Sequence, residues 1–82
     1  MFFVYILYSS SFDRYYVGQT NNLDNRLKRH NSGYVKSTKA YVPWNLVYHE
    51  EFKTRKESMN RESYLKRLKS SKSLKNLLDA SR

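Results

Sequence analysis

Two short runs open the chain and decide its fold: Phe2–Tyr8 (FFVYILY) and Arg14–Thr20 (RYYVGQT). Both are rich in the aromatic and β-branched residues that suit a pleated strand, and the linking segment Ser9–Asp13 is composed largely of turn-forming residues. The pattern therefore predicts a β-hairpin. Apolar residues occupy both faces of the first run, which indicates a central strand covered by helices on both sides of the sheet. The second run ends at Gly18, where a missing side chain would allow another group to approach the backbone closely.

A helix is expected to follow the hairpin directly, over Asn22–Asn31, with Gly33 as its stop. Arg26 and His30 have the spacing that places them beside the apolar stripe of this helix, on its inward side. The next segment, 34–42, has no clean periodicity and is expected to form a loop or a short helix.

A third strand is expected over Asn45–Phe52, and a second long helix from Thr54 to about Lys69. Thr54 and Glu57 have the spacing of a capping box. One face of the strand should carry Leu46, Tyr48 and Phe52, and the other Val47, His49 and Glu51. The inward side of the helix should carry Ser58, Met59, Glu62, Leu65 and Leu68. Ser70 and Ser71 should end this helix, and a short final helix with Leu74, Leu77 and Leu78 should follow.

These elements predict an α/β fold with a small, mainly antiparallel three-stranded sheet flanked by helices. With 82 residues the chain has room for one domain, spanning residues 1–82. The absence of cysteine excludes disulfides and cysteine-based zinc sites, and two histidines are too few for a histidine metal cage. Phe2–Leu7 is too short to span a membrane and lacks the flanks of a signal peptide, so a cytoplasmic protein is expected.

The net charge is +9, and it is concentrated in the second half of the chain. Up to Phe52 there are six basic and four acidic residues, whereas from Lys53 onward there are ten basic and three acidic residues. Such a distribution favours a polyanionic partner, with nucleic acid first and an anionic membrane second. A solubilising surface would produce the same charge.

Glu62 is unusual because it is a carboxylate placed within the apolar stripe of a helix. Hydrolysis of a phosphodiester needs a base, a group that offsets the charge on phosphorus and stabilisation of the leaving oxygen. One carboxylate can hold Mg²⁺, and the guanidinium of Arg26 matches phosphate oxygens.

Each of these residues also has a structural interpretation. Glu62 could lie on the surface or pair with Arg61 or Lys66, and Arg26 could form a structural salt bridge. The phenols of Tyr5 and Tyr16 could belong to the core, and His30 could be a satisfied helix histidine. From composition and periodicity alone, the chain is a basic α/β domain for which nucleic-acid binding is one option.

The order and spacing of several motifs resemble those of the GIY-YIG nuclease superfamily, and most closely its small stand-alone bacterial members. The resemblance covers nearly the whole chain. Its motifs are Phe3-Val4-Tyr5, Tyr16-Val17-Gly18, Asn22-Leu23-Asp24-Asn25-Arg26-Leu27, Lys28-Arg29-His30-Asn31, Gly33, Pro43-Trp44, Leu46-Val47-Tyr48 and Glu62.

The resemblance implies a Mg²⁺-dependent (or Mn²⁺-dependent) endonuclease acting on DNA, including branched or damaged DNA. Tyr5 and Tyr16 would position and deprotonate the attacking water, and Arg26 would stabilise the phosphate charge. Glu62 would be the single metal ligand, and His30 is a second candidate for the general base. The residues expected to contact nucleic acid are Gly18, Gln19, Lys36, Lys39, Arg61 and Lys66.

The sequence departs from the superfamily pattern at two places. The first motif reads Phe3-Val4-Tyr5 in place of Gly-Ile-Tyr, and Gln19 stands where the excision-repair branch has lysine. Two other functions stay open beside the nuclease: a non-catalytic nucleic-acid-binding module with the same fold, with DNA or RNA as its partner, and an adaptor whose basic helices dock on an acidic protein.

Overall fold

In the computed structural model, the described residues are 1–68 and 71–80. Three antiparallel strands form one sheet: β1 (Phe2–Ser9), β2 (Arg14–Thr20) and β3 (Asn45–Phe52). The strand order is β2-β1-β3, so that the first strand is central, as its two apolar faces predict. The predicted hairpin and the predicted α/β fold class are confirmed.

The helices are α1 (Leu23–Asn31), α2 (Arg55–Arg67) and α3 (Ser71–Ala80). A short 3₁₀ helix (Lys39–Tyr41) lies in the connection between α1 and β3, for which the sequence predicts a loop or a short helix. The predicted end of α2 at Lys69 and the predicted break at Ser70 lie outside the described residues. No helix in the described ranges is both long and apolar enough to cross a membrane.

The ends of α1 and α2 follow from local side-chain chemistry. The Asn22 side chain accepts a hydrogen bond from the backbone N–H of Asn25 at the start of α1. Gly33 follows the C-cap with a φ of 84°, a left-handed conformation that glycine adopts without steric cost. The predicted capping box of Thr54 and Glu57 is present at the start of α2.

The sheet carries an apolar cluster on each face. On one face, Val4 and Ile6 pack with Leu65 of α2 and Leu74 of α3. On the other face, Tyr5 and Leu7 pack with Trp44, and the half-buried Tyr16, Leu23, Leu27 and Tyr41 surround them. Alternate residues of β1 therefore face α2 and α3 on one side and the segment from α1 to Trp44 on the other.

Two predicted side-chain orientations are wrong. In β3 one extra residue, Val47, stands between Tyr48, which pairs with Ile6, and Leu46, which pairs with Leu7. This bulge moves Leu46 to the face opposite Tyr48. In α2, Met59 is 49% exposed, because the inward side of the helix follows Ser58 and Leu65 and Met59 lies beside it.

Candidate active site

The phenol of Tyr5 lies directly over Gly18, its partner across the β-hairpin. A Cβ atom at position 18 would come within 2.5 Å of the Tyr5 hydroxyl oxygen and 3.0 Å of a ring carbon of Tyr16. The close approach expected at Gly18 is therefore confirmed. The group that approaches the Gly18 backbone is the Tyr5 phenol, and it occupies space in which a contact with nucleic acid is expected from the sequence.

His30 brings α1 into contact with both tyrosines. Its side chain is 1% exposed, and its Nε2 atom lies 3.0 Å from the Tyr5 hydroxyl. The Tyr16 ring lies 4.8 Å from the His30 ring and 6.3 Å from the Tyr5 ring, measured between centroids. Three side chains that are far apart in the sequence thus form one aromatic cluster, which we call the Tyr–His cluster (Tyr5, Tyr16 and His30).

Burial sets the protonation states of His30 and Tyr5. It is the main cause that lowers the pKa of His30 below its usual value, and the positive charges of Arg26 and Arg29 lower it further. Burial also raises the pKa of Tyr5, and the charge of Tyr16 adds to this increase. At neutral pH the imidazole is therefore neutral and the Tyr5 phenol keeps its proton.

Arg26 and Glu62 lie within electrostatic range of the Tyr5 hydroxyl. After burial and Tyr16, the charge of Arg26 lowers the pKa of Tyr5 and that of Glu62 raises it. The phenol lies over β2, which is an edge strand, and α2 packs against the same strand.

The Glu62 side chain is 19% exposed and forms an ion pair with Lys66, one turn further along α2, at 3.3 Å. Of the two partners that the sequence offered, Lys66 is the one that contacts it. Arg61 instead forms a two-point ion pair with Glu50 of β3, with N–O distances of 2.8 and 3.0 Å. Two of the five N–H groups of its guanidinium are therefore engaged within the fold, on a side chain that is 31% exposed.

Gln19 also has a role inside the fold. Its amide oxygen accepts a hydrogen bond of 3.0 Å from the hydroxyl of Ser58, which is fully buried on α2. Ser58 precedes Glu62 by one helical turn, so this contact fixes the part of α2 that carries the carboxylate. Among the residues expected to contact nucleic acid, Lys36, Lys39 and Lys66 have exposed side chains.

Replacing Ser58 with alanine should lower the free energy of unfolding by about 1–2 kcal/mol, because the buried hydroxyl that donates to the Gln19 amide oxygen and to the Arg55 carbonyl oxygen is lost. Ser63→Ala is the matched control, since Ser63 is exposed on the same helix. We expect it to change stability by less than about 0.5 kcal/mol. Urea denaturation measures both values, and equal losses in the two variants would show that the buried contact does not stabilise the fold.

Sequence reasoning missed Thr38, whose side chain is 1% exposed and lies 2.9 Å from Nδ1 of His30. The indole N–H of Trp44 donates to the carbonyl oxygen of Thr38 at 2.9 Å. Asn31 in turn exchanges two hydrogen bonds with the backbone of Trp44. The sequence around Thr38 has no periodicity that would single out this residue. Its partners are His30 of α1 and Trp44, the residue before β3.

Comparisons with known proteins identify the family and the fold of the chain. The family model described as the GIY-YIG catalytic domain matches residues 1–76. A UPF0213 protein of Clostridium perfringens is 44% identical over 69 residues, which are 83% of this chain and 73% of that protein. A UPF0213 protein of Bacillus licheniformis is 48% identical over 54 residues, 65% of this chain but only 56% of that protein, little more than half its length.

The solution NMR structure of a UPF0213 protein from Bacillus halodurans has a similar fold. The two structures superimpose with a TM-score of 0.60 at 33% sequence identity. The match covers 98% of this chain and 85% of the Bacillus halodurans chain. The name UPF0213 specifies no activity for these relatives. Together, the sequence match over residues 1–76 and the shared fold show that the chain belongs to the GIY-YIG catalytic-domain family.

Proposed function

We propose that this protein is a Mg²⁺-dependent endonuclease that hydrolyses phosphodiester bonds in DNA in the cytoplasm. The observation that supports the proposal is the Tyr–His cluster itself, together with the electrostatic effect that Arg26 and Glu62 exert on its Tyr5 phenol. A base, a fixed cation and a carboxylate are the groups that phosphodiester hydrolysis requires. The family's name for the matched segment, a catalytic domain, supports the same conclusion.

Glu62 is the residue that would hold the metal ion. Within residues 1–68 and 71–80, no three histidine or acidic side chains gather into a metal-binding group. A single carboxylate fits Mg²⁺, because this ion keeps most of its water ligands and needs few from the protein. When bound, Mg²⁺ supplies Lewis-acid polarisation of the phosphate and of the attacking water.

The chain's own groups would carry out the proton transfer and the charge stabilisation. Tyr5 can take a proton from the attacking water while passing its own proton to the neutral His30, 3.0 Å away. The second phenol, Tyr16, would position the water. The guanidinium of Arg26 would offset the negative charge that develops on the phosphate.

Substrate binding would rest on the nucleic-acid backbone. The net charge of +9 and the exposed Lys36 and Lys39 after α1 favour contact with phosphates, which carries no sequence information. We therefore propose selection by DNA structure, such as branches, flaps or damage.

A cleavage panel tests the proposed function directly. Single-stranded, duplex, flapped and branched DNA, with matched RNA, would be incubated with Mg²⁺, Mn²⁺ or EDTA. We expect cleavage of DNA with either metal and none with EDTA. Arg26→Gln should lower kcat by about 100- to 1,000-fold, as loss of one charge-stabilising donor does. Arg67→Gln, which removes an exposed arginine of α2, is the control and should retain kcat.

The second candidate is a non-catalytic nucleic-acid-binding module. The ion pair between Lys66 and Glu62 favours it, because the ammonium group neutralises the carboxylate that a metal ion would need. Such a module would bind DNA or RNA in a salt-dependent manner. It would cleave no substrate of the panel with either metal, and this result would overturn the endonuclease proposal.

A further inference from the structure

We propose that Thr38 is a positioning residue that holds His30 in the tautomer with its proton on Nδ1, so that Nε2 faces Tyr5 as a hydrogen-bond acceptor. The inference deepens the proposed function, because it defines which group receives the Tyr5 proton. Thr38 itself lies behind the imidazole and would act only through it.

The direction of the hydrogen bonds follows from the single hydroxyl proton of Thr38. Its Oγ1 donates this proton to the carbonyl oxygen of Val35 at 3.3 Å, and a carbonyl can only accept. We infer that toward Nδ1 of His30, 2.9 Å away, the same oxygen accepts. Nδ1 therefore carries the imidazole proton, and Nε2 has a free lone pair.

The opposite side of the ring completes the chain of bonds. With the lone pair on Nε2, the Tyr5 hydroxyl donates to it across 3.0 Å. Because the imidazole is neutral, it can take up this proton when the phenol oxygen accepts one from water. In the other tautomer the Nε2–H would point at the phenol oxygen, and His30 could not accept the proton at that atom.

The fold holds Thr38 firmly in this place. Its backbone N–H bonds to the carbonyl of Val35 at 3.1 Å, and its own carbonyl accepts the indole N–H of Trp44. Trp44 is 3% exposed and its backbone is tied to Asn31, the residue after His30 in α1. The hydroxyl is therefore fixed relative to the imidazole from both sides of the connecting segment.

The experiment compares Thr38→Val with Thr38→Ser in the full chain. Valine removes the hydroxyl at nearly constant volume, whereas serine retains it. The ¹⁵N chemical shifts of the histidine rings report the tautomer, with the exposed His49 as an internal reference. We expect an Nδ1–H form of His30 in the wild-type chain and in the serine variant, and loss of this preference in the valine variant.

Cleavage kinetics form the second measurement. In the valine variant kcat should fall about 10- to 100-fold, the usual effect of losing an orienting partner, while KM stays within about 2-fold. The serine variant should restore kcat. An Nε2–H tautomer in the wild-type chain, or an unchanged Nδ1–H tautomer in the valine variant, would overturn the assignment.

The tautomer measurement does not depend on turnover. If the wild-type chain cleaves no DNA, the proposed function fails, but the ring shifts still decide the role of Thr38. If the valine variant does not fold, the wild-type and serine spectra still test the assigned Nδ1–H form.

Discussion

Replacing Glu62 with glutamine should reduce Mg²⁺-dependent DNA cleavage by about 1,000-fold, the upper range for loss of one electrostatic contribution at a reacting phosphate. Glutamine keeps the size of the side chain but removes the negative charge that would hold the metal ion. Glu62 lies on α2, and its negative charge raises the pKa of the Tyr5 phenol. Single-turnover cleavage at saturating DNA measures the effect on chemistry separately from binding.

Glu51→Gln is the matched control, because Glu51 is an exposed carboxylate on β3. It removes the same charge from the chain and should leave the cleavage rate unchanged. DNA binding by the Glu62 variant should be retained or strengthened, because Lys66 loses its ion-pair partner and becomes available to phosphate. Undiminished cleavage by the Glu62 variant would show that the assigned mechanism is wrong.

Gly18→Ala should destabilise the fold by about 1–3 kcal/mol, the cost of placing an extra methyl group in a filled site. The new Cβ would lie 2.5 Å from the Tyr5 hydroxyl oxygen and 2.6 Å from its Cζ. The ring of Tyr5 is buried and bonded to His30, so it cannot move aside without breaking that hydrogen bond. The substitution should therefore lower both the stability and the cleavage rate.

Gly33 is required for a different reason, its backbone conformation. At Gly33 a Cβ would meet nothing within 4 Å, but φ is 84°. Alanine there should cost about 1 kcal/mol through backbone strain alone and leave the cleavage rate unchanged.

A double-mutant cycle identifies the origin of the Gly18 effect. In a Tyr5→Ala background the 2.5 Å clash is absent and only the 3.0 Å contact with the Tyr16 ring remains, so Gly18→Ala should cost at least about 1 kcal/mol less there than in the wild-type chain. Urea denaturation of the four proteins measures this. Equal costs in the two backgrounds would mean that the approach of Tyr5 is not the reason for glycine at this position.

Much of the fold could be predicted because its signals are local. The apolar faces of β1, the asparagine before α1 and the capping box of α2 each specify an element through residues close to one another in the chain. The orientation of Leu46 could not be predicted in this way. It depends on a bulge at Val47 that is defined only by the pairing of β3 with β1.

In the candidate site, too, some features could be predicted from the sequence and others could not. By itself, the sequence determined the family, the strands and helices and the residue types that could carry phosphodiester chemistry, because these follow from motif spacing and local periodicity. Only the tertiary structure decided the partners: Lys66 for Glu62, Glu50 for Arg61, Ser58 for Gln19, and Tyr5 with Thr38 for His30. A hydrogen bond or ion pair depends on distances of about 3 Å between side chains. Across elements, such distances are set by the packing of helices on the sheet, and composition and periodicity do not contain them.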